Sequence, residues 1–130
     1  MEENFEIYKK WLSENGLIYN VDEDGDLHFK YQMCNFYIMN PHNDKLFLQV
    51  MLPNIWSIDS EEERTNALIV ANKLNMQRKA LKVFITQEST ILTVEMFIDN
   101  TPDVEDFMER ILNILIQGRE GFAEGMRELS

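Results

Sequence analysis

The sequence predicts an α+β fold of two layers, a mainly antiparallel five-stranded sheet with helices on one face, in the order α-β-β-β-α-β-β-α. Three observations predict it. Five apolar runs between Leu27 and Ile98 alternate residue by residue, and three other stretches carry apolar residues at helical spacing. Within each group of strands, the connections are too short for parallel crossovers.

The first helix is expected from Glu3 to Asn15, with Phe5, Tyr8 and Leu12 on one stripe, Trp11 beside them and Gly16 placed to end it. Asn20 to Asp26 reads as a turn leading into strands near Leu27–Gln32, Cys34–Met39 and Lys45–Leu52, with Asn40 and Pro41 opening the last connection. After Pro53 the period changes. Ser60 and Glu63 form a capping box, and Glu61 and Glu62 suit the positive end of a helix running to about Leu74, with Ala67, Leu68, Ala71 and Leu74 inward. Ala80–Gln87 and Thr90–Ile98, parted by Glu88 and Ser89, form a hairpin. Thr101 as N-cap and Pro102 at the first helical position open the last helix, whose stripe is Val104, Phe107, Met108, Ile111, Leu112 and Leu115. Residues 1–118 thus form one domain. Gly118, Gly121 and Gly125 weaken the remainder, so 119–130 reads as a marginal amphipathic tail in which Phe122, Met126 and Leu129 need a surface to lie on.

A chain of 130 residues can bury a core without metal or disulfide support. Its single cysteine, Cys34, excludes an internal disulfide and fits a reducing compartment. The opening MEENFEIYKKW has none of the basic and apolar character of an export signal, and no apolar run is long enough to span a bilayer, so a cytoplasmic protein without membrane partners is expected. A net charge of -11 argues against nucleic acid as partner. The basic cluster of Lys73, Arg78, Lys79 and Lys82 lacks interleaved aromatic platforms and reads as decoration of a helix end.

Candidate chemistry is sparse. Asn20, Asp22, Asp24, Gly25 and Leu27 follow the first positions of a calcium loop, but Tyr31 stands where the bidentate glutamate belongs, and a strand follows instead of a helix. An acidic turn is the simpler reading. His28 and His42 have neither the spacing nor the neighbours of a zinc site, and no nucleophile elbow or phosphate loop occurs. No catalytic residue, metal or cofactor is therefore assigned, and the chain is read as not an enzyme.

The functional signal lies in the second face of the strands. One parity is wholly apolar: Leu27, Phe29 and Tyr31; Phe36 and Ile38; Leu46, Leu48, Val50 and Leu52; Leu81, Val83 and Ile85; Leu92, Val94, Met96 and Ile98. A sheet covered on one side should be polar on the other. The outward parity instead mixes His28, Lys30, Gln49, Lys82, Thr93 and Glu95 with Tyr37, Met39, Phe47, Met51, Phe84 and Phe97. Those six are expected to form a partner-binding or dimer surface, unless the tail folds over them.

The opening FEIYKKW, the segment DEDGDLHF, the run LIVANKLNMQRKALKVFI and the final helix resemble the YbjN-like proteins, whose fold is similar to that of type III secretion chaperones. Asn72 and Asn75, followed by a basic stretch and a strand, carry the local likeness. The resemblance implies a small acidic bacterial cytoplasmic protein, a homodimer, holding an extended segment of a partner protein. Members of that family are assigned as candidate regulators of sensory transduction. The hairpin Gln87-Glu88-Ser89-Thr90 departs from the Asp-Gly type usual there. A noncatalytic, chaperone-like protein-binding domain is the function expected, the alternative being a small-ligand binder or an enzyme without a local motif.

Overall fold

The computed structural model describes residues 2–130. Helix α1 (Glu2–Glu14) is followed by strands β1 (Tyr19–Val21), β2 (Leu27–Tyr31), β3 (Cys34–Ile38) and β4 (Phe47–Ser57), helix α2 (Glu61–Gln77), strands β5 (Leu81–Ile85) and β6 (Ser89–Phe97), and helix α3 (Val104–Leu129). All strand pairs are antiparallel, and the sheet order is β1-β2-β3-β4-β6-β5. The α+β class holds, with six strands instead of five. The extra one, β1, overlaps the start of the turn expected from Asn20, because Tyr19–Val21 is too short to display an alternating pattern.

The apolar parity faces the helices. Leu27, Phe29, Phe36, Ile38, Leu48, Val50, Leu52, Leu81, Val83, Leu92 and Val94 are buried against Tyr8, Trp11, Leu12, Ala67, Val70, Leu74 and the α3 stripe. Two expected core residues are not there. Leu46 precedes β4 and is exposed, and Leu68 lies on the free side of α2, where Val70 takes the inward place.

Local chemistry explains most element boundaries. Gly16 adopts φ 73°, which lets the Leu17 N–H reach back to Leu12 O at 2.8 Å and close α1. Ser60 accepts from the Glu63 N–H at 3.1 Å, while the Glu63 carboxylate reaches the Asp59 N–H at 2.9 Å, one residue before the one expected. β4 passes through Pro53 to Ser57. A register shift between Leu52 and Trp56 accommodates the proline, which cannot donate to a regular ladder. In the β5–β6 hairpin, Gln87 and Glu88 form the reversal and Thr86 N–H bonds Ser89 O, so Ser89 already belongs to β6.

The last helix starts later than Thr101 and Pro102 suggest. Its N-cap is Asp103, which makes no side-chain capping bond, and the Thr101 N–H is taken by Asp99 Oδ1. At the other end α3 continues through Gly118 to Leu129 without interruption. The glycines are points of close approach: a Cβ on Gly118 would sit 2.9 Å from Leu81 Cδ2, and one on Gly125 would sit 2.7 Å from Val70 Cγ1. Phe122 and Met126 are consequently buried, and the Trp56 ring meets Phe122 at 6.0 Å between centroids.

Candidate functional site: the outward face of the sheet

Strand register places the outward residues in rows. One row crosses all six strands: Asn20, His28, Tyr37, Met51, Thr93 and Lys82 are successive cross-strand partners. The next row holds Gln49 opposite Glu95, with Met39 joined to it through its N–H to Gln49 O. Beyond it Phe47 faces Phe97, their rings edge to face at 6.0 Å. On the opposite side Phe84 pairs with Ile91. The six expected residues therefore share one face, but not one patch. Phe47 and Phe97 lie at one end beyond a polar seam, whereas Tyr37 and Met51 share the other side with Ile91 and Phe84, and Met39 flanks the seam at Gln49. Ile91 and Pro53 belong to the same face by parity and were legible as such.

That seam is a bonded network. Gln49 Nε2 donates to Thr93 Oγ1 at 3.3 Å and to Glu95 Oε2 at 3.2 Å, and Lys82 Nζ donates to the same carboxylate oxygen at 3.3 Å. Thr93 in turn donates to Val50 O at 3.1 Å and is wholly buried beneath its neighbours. The Lys82 ammonium also lies 5.9 Å from the Phe84 ring centre. At the other margin, His28 stacks on Tyr37 at 4.8 Å with its ring nitrogens 3.1 Å from Asn20 Oδ1 and Asn35 Oδ1. A neutral ring donates to one amide oxygen only, so the other amide must then turn its NH₂ toward the ring. These polar groups fix the face and keep its apolar members apart. Phe97, 84 % exposed, is its most accessible member.

The tail does not cover this face. Phe122 and Met126 enter the helix layer, and Gly118 contacts Leu81 and Leu92 on the inner side of the sheet. A separate apolar strip on α2, made of Leu68, Ile69 and Met76, is also exposed.

Asp22, Asp24 and Asp26 bring their carboxylates within 4.8 Å of one another. Their oxygens already serve the turn: Asp22 Oδ1 accepts the N–H groups of Asp24 at 3.0 Å and Asp26 at 2.9 Å, and Asp26 Oδ1 accepts that of Asn40 at 2.6 Å. Burial raises the Asp26 pKa above the ordinary carboxylate value and the Asp22 and Asp24 charges add to the rise, whereas the Asn40 N–H opposes it. His42 N–H bonds Asn40 Oδ1 at 2.9 Å, and Cys34 is a buried free thiol. Among the described residues, no helix is long and apolar enough to cross a membrane.

No family model and no curated protein matches the sequence. Among solved structures, the fold is similar to an uncharacterized protein from Methanothermobacter thermautotrophicus, with a TM-score of 0.68, 20% identity, and 95% of this chain and 96% of that one covered. It is also similar to YbjN from E. coli, described as a candidate transcription regulator, with a TM-score of 0.67 and 11% identity over 96% of this chain and 93% of that one. At these identities the likeness establishes a YbjN-like fold.

Proposed function

We propose that this chain is a noncatalytic protein-binding domain that holds a segment of a partner protein, or a second copy of itself, on the outward face of the sheet. One observation carries the reading: Tyr37, Met39, Phe47, Met51, Phe84 and Phe97 lie on a face that neither the helices nor the tail covers. Aromatic residues and methionine are enriched at protein interfaces, and the interspersed Gln49, Glu95 and Lys82 would keep the unoccupied face in solution. The chain's chaperone-like character and its regulatory role belong to the same proposal, as does a cytoplasmic setting.

Phe97→Asp and Phe84→Asp test it, since both side chains lie outside the core. Each variant is expected to fold, to lose self-association in light scattering, and to lose the proteins captured by the unsubstituted chain. Two folded variants with unchanged molar mass and an unchanged set of captured proteins would refute it.

A second reading, small-ligand binding, draws on a cleft of about 420 Å³ where β3 and β4 diverge beside the register shift. Asn35, Asn54 and Arg119 line it together with Cys34 and Tyr37. It supplies polar groups, but it has nothing comparable to the apolar extent of the outward face.

A further inference from the structure

We propose that Asn75 acts as a one-residue strand mimic that closes the β5 edge of the sheet against pairing with a second copy of the chain. β5 is an edge strand, and the opposite edge, β1, has only three residues. In the β5–β6 ladder Thr86 N–H bonds Ser89 O, so the alternation of an antiparallel pair directs the backbone groups of Phe84 and Lys82 toward β6. Those of Leu81, Val83 and Ile85 point to the open side. Such an edge, with Lys82 as its only charge, is a template for another strand.

Asn75 fills the centre of that template. Its Oδ1 accepts the Val83 N–H at 2.8 Å and its Nδ2 donates to Val83 O at 3.0 Å, the two bonds that a neighbouring strand would supply. The link from α2 to β5 keeps it in place. Arg78 N–H closes the helix on Leu74 O at 2.8 Å, and Ala80 takes the left-handed φ of 66° needed to reverse the chain within three residues. At the far end of β5, Arg64 of the same helix donates to Thr86 O at 3.0 Å and to Gln87 O. α2 thus holds the edge strand by side chains at its middle and at its turn.

The strand excluded is taken to be another β5. Two copies paired antiparallel about Val83 would exchange the bonds now made to Asn75 in a two-fold arrangement, and would set Lys82 of one copy opposite Phe84 of the other. This edge is distinct from the outward face, so failure here leaves the docking proposal untouched.

The test compares Asn75→Ala, Ser60→Ala and the unsubstituted chain by light scattering over a concentration series, with amide exchange followed by NMR. In the unsubstituted chain the Val83 amide should exchange about tenfold more slowly than those of Leu81 and Ile85. Asn75→Ala should lose that protection when dilute and reach about twice the unsubstituted molar mass when concentrated. The gain should persist in a Phe97→Asp background. Ser60→Ala, which loosens α2 at its other end, should keep the unsubstituted mass. Equal exchange at Leu81, Val83 and Ile85 would overturn the proposal whether or not Asn75→Ala folds. So would an unchanged molar mass for folded Asn75→Ala, a gain in mass abolished by Phe97→Asp, or a Ser60→Ala variant that associates as strongly.

Discussion

Tyr8 buries a phenol for which no described residue provides a hydrogen-bond partner, and desolvation pushes its pKa up to about 12. Between the ordinary phenol value near 10 and that value, the folded state keeps a proton that the unfolded chain has lost. Stability must then fall as pH rises through this window, by at most about 1.4 kcal/mol per pH unit. Tyr8→Phe removes the unpaired hydroxyl and retains the ring. It should raise stability at neutral pH by about 1 kcal/mol and flatten the decline above pH ~10, both measurable by denaturant titration across pH. A variant less stable than the unsubstituted protein, with the same alkaline decline, would place a partner on that hydroxyl. Asp26 obeys the same sign: with a raised pKa it holds its proton longer in the fold, so its ionisation costs stability as pH rises through the acid range. The helical spacing places the Tyr8 ring inward, but neither the want of a partner for its hydroxyl nor the burial of Asp26 is announced by any run of residues, because both depend on distant packing.

Among the elements, those with a local cause were legible. Ser60 and Glu63 mark the start of α2, and Gly16 marks the end of α1, because a cap or a positive φ is chemistry of neighbouring residues. Elements shaped by distant contacts were not. Pro53 signals a strand end, yet the register shift carries β4 to Trp56, whose indole donates to Glu63 at 3.2 Å and packs on Phe122. Leu68 satisfies the helical spacing as well as Val70 does; the position of α3 decides between them. The glycines of α3 count against a helix by propensity, but they permit its contact with α2. Gly125→Ala should therefore lower stability by about 1 kcal/mol, because the clash with the stiff Val70 side chain outweighs a propensity gain of similar size. A rise in the denaturation midpoint would show instead that α2 and α3 yield easily.

At the scale of the whole molecule, one side of the sheet builds the fold and the other stays uncovered by the helices. The sequence made the outward composition legible through strand parity, but not its division by the Lys82, Glu95, Gln49 and Thr93 seam, which needs the β4–β6 and β5–β6 registers. Nor could parity show that the tail would join the helix layer and leave the face uncovered. The exposed strip on α2 offers a competing surface, and methionines report on both. Met39 and Met51 lie on the outward face, whereas Met76 on α2 and Met33 in the β2–β3 turn are 77% and 96% exposed. The most direct test is methyl NMR of methionine-labelled protein, recorded as unlabelled chain or a native extract of the producing organism is added. Docking on the outward face predicts that the Met39 and Met51 methyl signals shift or broaden while those of Met33 and Met76 stay unchanged. A response at Met76 with Met39 and Met51 unmoved would contradict it.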